Sequence, residues 1–71
     1  MTHPWEKLFS KALRKSTPEE NLVLEEAESL RAKNYSVDEI YGVLTHLRDT
    51  LIQDKERDIV VEACEEFEKY L

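Results

Sequence analysis

Gly42 is the only glycine in this chain of 71 residues, and Pro4 and Pro18 are its two prolines. Small β-folds need a tight turn every ~8–12 residues, built on glycine, proline and asparagine at positions other residues resist. So few turn residues rule out a hairpin architecture. Glutamate, leucine, lysine and alanine dominate instead, and all are good helix formers. Hydrophobic residues make up 41% and charged residues 37%, enough for one apolar core under a heavily charged surface. The expected fold is all-α: one helical domain over residues 1–71, a compact bundle of about four short helices packed antiparallel or orthogonally.

Local signals place these helices at 4–15, 18–33, 37–52 and 55–70. Thr2 or His3 caps the first, and Pro4 suits its first helical position. Trp5, Leu8, Phe9, Ala12 and Leu13 then recur at the i, i+3, i+4, i+7, i+8 spacing of an apolar stripe. Ser16-Thr17-Pro18-Glu19-Glu20 predicts a second start, with Thr17 as N-cap, Pro18 at N1 and Glu20 completing a capping box. Leu22, Val23, Ala27 and Leu30 form the buried face of that helix. Asn34 suits a left-handed terminus, with Tyr35 folding back. Ser36 and Glu39 repeat the capping box for a third helix, which buries Val37, Ile40, Tyr41, Leu44, Leu47, Leu51 and Ile52. Gly42 inside that helix predicts close approach of a neighbour, since a helical glycine costs about 1 kcal/mol relative to alanine. Asp54 caps the fourth helix, whose inner face is Ile59, Val60, Ala63, Cys64, Phe67, Tyr70 and Leu71. No glycine or proline enforces the break near Gln53, so one continuous helix from Val37 onward stays open.

Charge is unevenly divided. Residues 1–15 carry Lys7, Lys11, Arg14 and Lys15 against Glu6, a net of +3, and the other residues carry −9, giving −6 for the chain. Such a balance repels nucleic acid and anionic membranes and suits protein partners with a basic patch. No apolar run is long enough to span a bilayer. The start, Met1-Thr2-His3-Pro4-Trp5-Glu6-Lys7, has no signal-peptide hydrophobic region. Cys64 is the lone cysteine, so no disulfide framework exists to hold a small secreted domain. A cytoplasmic setting is the expectation.

Few residues combine into chemistry. His46 and Asp49 lie three apart, but two ligands make no metal site. Cys64 shares its spacing with Val60, Ala63 and Phe67, and Glu65 and Glu66 follow it. It therefore reads as a small core residue rather than an activated thiolate. Glu25, Glu26 and Glu28, and later Glu62, Glu65 and Glu66, lie on polar helix faces, whereas general acid–base work needs a partly desolvated carboxylate. No glycine-rich phosphate loop is present. The chain is expected to have no catalytic residues, no metal and no cofactor.

Asp49-Thr50-Leu51 is similar to the Asp-Ser-Leu motif of acyl carrier proteins, whose serine bears phosphopantetheine. Thr50 stands where the serine belongs, and the triplet falls inside a helical stretch, so no prosthetic group is expected. The stretch from Ala27 to Ile40 resembles the helix–turn–helix of small bacterial regulators. That resemblance implies a recognition helix entering the major groove by its N-terminal residues. Here those residues are Asp38 and Glu39, where phosphate binding wants lysine or arginine. Nucleic-acid binding stays as the alternative reading, disfavoured by charge.

The leading expectation is an acidic protein–protein interaction or regulatory module without catalysis. Its candidate partner-binding residues are Trp5, Lys7, Lys11 and Arg14 on the first helix and Glu62, Glu65 and Glu66 on the fourth. The basic face can meet an acidic stripe within the chain or across a homodimer, or a different protein partner.

Overall fold

A computed structural model describes residues 3–17 and 19–71, and among these it contains four helices and no strand. They are α1 (Pro4–Lys15), α2 (Leu22–Ala32), α3 (Val37–Thr50) and α4 (Asp54–Glu68). No helix is long and apolar enough to cross a membrane among the described residues.

Helix α1 starts where the proline signal puts it, with His3 as N-cap. The imidazole Nδ1 of His3 accepts from the Trp5 N–H at 3.1 Å. The Glu6 carboxylate accepts from the His3 N–H at 3.2 Å, so histidine fills the role that serine or threonine takes in a capping box. The expected cap at Thr2 lies outside the described residues.

The start of α2 differs from expectation by one helical turn. Thr17 Oγ1 does accept from the Glu20 N–H at 3.0 Å, the bond a Thr17 cap would make. However, Thr17 and Glu20 pair N–H to carbonyl in both directions, at 3.0 and 3.1 Å, a reciprocal bridge that stands in place of a first helical turn. Pro18, expected at N1, lies outside the described residues. Asn21 caps α2 instead: its Oδ1 accepts from the Leu24 N–H at 3.0 Å and its Nδ2 donates to the Ile59 carbonyl of α4 at 2.9 Å. Ser16 Oγ donates to Ala12 O and accepts from the Leu22 N–H, both at 3.0 Å, tying the end of α1 to this start. Long-range hydrogen bonds thus override a local capping signal.

Helix α2 ends as its sequence predicts. Asn34 has φ 71°, in the left-handed region. Tyr35 N–H donates to Leu30 O at 3.2 Å and Asn34 N–H to Arg31 O at 2.9 Å. This is the Schellman pair, which satisfies carbonyls otherwise left orphaned.

In α3 the cap position is right and its chemistry is not. Ser36 is the N-cap but makes no side-chain cap bond. Glu39, expected to reach back to it, points instead to His3, with Oε1 3.2 Å from Nε2. Helix α3 stops two residues early, Leu51 and Gln53 are extended, and α3 and α4 are separate. Arg57 Nη2 donates to Leu51 O at 3.2 Å across this corner. Ile52, expected on the buried face, is 90% exposed because it lies beyond the last helical residue. Gln53, not Asp54, is the cap of α4, and Asp54 takes the first helical position. Leu71, expected on the inner face, lies past the helix end and is exposed.

The core takes side chains from every helix: Phe9, Ala12 and Leu13 from α1, Val23, Ala27 and Leu30 from α2, Ile40, Val43, Leu44 and Leu47 from α3, and Ile59, Val60, Ala63, Cys64 and Phe67 from α4. Helix α3 packs most extensively on α4 and α1 on α2, with α2 also resting on α4. The α1–α4 contact is the slightest. The molecule is a flattened body of 30 × 30 × 18 Å. No polar or charged side chain is buried among the described residues, as expected where nothing inside would pair it.

Candidate functional site

Helical geometry turns the sequence of α1 into two faces. Lys7, Lys11 and Arg14 fall at i, i+4 and i+7, within about 60° of one another around the axis, and Lys15 lies beside them. All four are exposed. Among the described residues none forms an ion pair. Their stems border shallow grooves on either side of the helix. Lys11 and Lys15 share one with Leu8, Leu22, Glu25 and Glu26, and Lys7 shares another with Ser10, Leu47 and Thr50. Arg14 borders a third, of about 410 Å³, with Leu13, Thr17, Lys55, Glu56 and Ile59.

Trp5 lies on the other face of α1. It is half-buried, with its ring centroid 5.1 Å from Tyr35 in an edge contact and 4.8 Å from the His3 ring. The structure holds it against the chain's own aromatics, away from the basic stripe.

Glu62, Glu65 and Glu66 are exposed on the outer face of α4. Glu66 accepts from Lys69 Nζ at 3.3 Å, an i, i+3 pair. That hydrogen bond is the main cause raising the Lys69 pKa above its ordinary value. Glu62 and Glu65 form no ion pair among the described residues, and no ion pair joins α1 to α4. The acidic stripe therefore does not neutralise the basic one within the chain. Asp58, also exposed, extends the stripe by one turn. Asp58 and Lys15 stand outside the partner-binding set expected from sequence, although their i, i+4 and i+8 spacings from its members are legible there.

Two histidines join α1 to α3, a link that no local spacing reveals. His46 Nε2 lies 3.1 Å from Glu6 Oε1, and His3 Nε2 lies 3.2 Å from Glu39 Oε1. Because Nδ1 of His3 accepts the Trp5 N–H, the proton of a neutral ring sits on Nε2 and donates to Glu39. His46 thus turns to Glu6 rather than to Asp49, which Arg48 Nε approaches at 3.3 Å. No group of three or more potential metal ligands comes together among the described residues.

Cys64 is buried at 2% exposure. Burial pushes its thiol pKa up, with Arg48 opposing and Glu68 adding to the effect. That environment favours the neutral thiol, the opposite of an activated nucleophile. Tyr41 Oη donates to Glu68 at 3.2 Å, and partial burial followed by this bond raises its phenol above the ordinary value. Tyr70 closes the molecule: its hydroxyl donates to Glu28 of α2 at 3.1 Å, and the Arg31 guanidinium sits 4.2 Å over its ring. These contacts use Glu28 and Arg31 of α2 and Glu68 of α4 as structural fasteners. Gly42 has open space where a Cβ would project, so the expected close helix approach is absent.

Comparison of the chain with protein-family models, with curated proteins and with solved structures found no significant match. The role of the site rests on its own chemistry. Its chemistry is that of exposed, opposed charge on two separate helix faces, with shallow grooves between helices.

Proposed function

We propose that this chain is a small, acidic, non-catalytic module that binds another protein surface through the charged faces of α1 and α4. The observation that carries the reading is the basic face of α1: Lys7, Lys11 and Arg14 are exposed and unpaired among the described residues, on a chain whose net charge is −6. Self-neutralisation would have been available, since acids outnumber bases, yet these cations stay presented to solvent. Glu62, Glu65 and Glu66 offer the complementary sign on α4. Opposed charge of this kind steers encounter and fixes register more than it adds raw affinity. Trp5 supports the reading indirectly, by anchoring the N-terminal end of α1 to Tyr35.

The absence of catalysis is part of the same proposal. It is supported by a thiol whose burial favours the neutral form and by carboxylates that are solvated or used as fasteners. A cytoplasmic setting is proposed alongside it, supported by the lone cysteine and the lack of a helix able to cross a membrane among the described residues.

Nucleic-acid binding is the second reading, favoured by one observation, the tight α2–α3 connection through left-handed Asn34. Against it, Asp38 and Glu39 are exposed at the leading end of α3, where a phosphate backbone would be repelled.

Affinity capture from the native lysate tests the leading reading, using the wild type beside Lys7→Glu/Lys11→Glu/Arg14→Glu. The expected outcome is a protein partner retained by the wild type and lost by the variant, with both chains equally helical by circular dichroism. Retention of the same proteins by both would exclude the basic face as the docking surface.

A further inference from the structure

The charged stripes of α1 and α4 have the same spacing. Lys7, Lys11, Arg14 and Lys15 occupy i, i+4, i+7 and i+8 on one helix, and Asp58, Glu62, Glu65 and Glu66 occupy i, i+4, i+7 and i+8 on the other. All eight residues are exposed. Each stripe runs ~12 Å along its axis, so a parallel alignment sets each cation opposite one carboxylate. Only Glu66 already has a partner, and that one is a flexible lysine on the next turn, among the described residues.

From this register we infer that the occupant of the basic α1 face is the acidic α4 face of a second copy of the chain. This rests on the module reading and names its partner. Because α1 and α4 scarcely touch, one such contact leaves a free basic stripe on one copy and a free acidic stripe on the other. Those two free stripes either meet each other, giving a two-fold dimer with two identical contacts, or recruit further copies head-to-tail into a ring or a chain. The net charge of −6 on each copy opposes it over long range. At ~0.1 M salt, however, charges more than about 10 Å apart are largely screened, whereas the stripes meet at contact distance.

Sedimentation velocity on the intact chain, across a concentration series, tests the inference. The wild type is expected to self-associate at about 0.1 M salt and to lose about tenfold or more in association constant by about 1 M, where the screening length is ~3 Å. Lys11→Glu/Arg14→Glu alone and Glu62→Lys/Glu65→Lys alone are expected to stay monomeric, because each places like charges in the middle of the contact. Their mixture is expected to associate, since the altered α1 of the first again matches the altered α4 of the second. Each double reversal moves the net charge by four, to −10 and −2, so both variants stay negative and bulk attraction does not explain recovery. A wild type that stays monomeric at every salt concentration overturns the inference, as does a mixture that fails to associate. A monomer that still captures another protein through Lys7, Lys11 and Arg14 removes the second copy and leaves the module reading standing. A monomer that captures nothing removes both.

Discussion

Replacing Gly42 with alanine should make this protein more stable. Gly42 is the sixth residue of α3, with φ negative, so alanine meets no backbone strain. A Cβ built there finds no atom within 4 Å, so the methyl group displaces nothing. What remains is the helix-propensity difference, ~0.8–1.0 kcal/mol in favour of alanine, because glycine gives up more backbone freedom on folding. For a domain of this size about 1 kcal/mol raises Tm by ~4–8 °C. Thermal unfolding by far-UV circular dichroism reads the shift, and urea unfolding gives the free energy independently. An unchanged or lowered Tm would refute the reasoning. It would mean that another surface packs on Gly42, as the sequence first suggests, or that α3 is interrupted there.

Asn21→Ala should cost ~1–2 kcal/mol in urea unfolding, since it removes the α2 cap and the donor to Ile59 O. Ser36→Ala should cost far less, because Ser36 makes no side-chain cap bond; equal losses at the two caps would contradict the described helix starts. Cys64 should react with a maleimide orders of magnitude more slowly in the native chain than in denaturant, and rapid native labelling would contradict its burial. Because burial raises the folded thiol pKa above its ordinary value of 9.0, the stability tied to this site is intact below about pH 9 and lost as pH rises toward the folded value. A Cys64→Ala chain should lose that part of the alkaline decline, and an identical decline in both chains would argue against it. Random-sequence DNA duplex at low salt should show no affinity that falls with added salt; a steep salt dependence would move the reading to nucleic acid.

Much of the fold was legible because helix content rests on periodicity and on the scarcity of turn residues. The stripe from Trp5 to Leu13, the proline at the head of α1 and the Asn34 terminus are all local signals, and each matches the structure. The failures share a cause. Thr17, Ser36 and Asp54 carry good local capping chemistry, but Asn21 is drawn to Ile59, Glu39 to His3, and the α3–α4 corner is tied by Arg57. Tertiary partners of this kind leave no trace in spacing. The same holds for the site. Most charged residues of α1 and α4 could be named from sequence, whereas the absence of ion pairs between the two helices among the described residues depends on how helices far apart in the chain are placed.

The central claim is that the chain meets its partner through the outer faces of α1 and α4. A dilution series of two-dimensional amide NMR spectra at ~0.1 M salt maps that surface directly, since contact shifts the amides beneath it. The predicted shifts gather on the outer faces of α1 around Lys7–Lys15 and of α4 around Asp58–Glu66, and fade as salt rises. Shifts centred on the α2–α3 connection, or spectra unchanged over the whole series, would contradict the account.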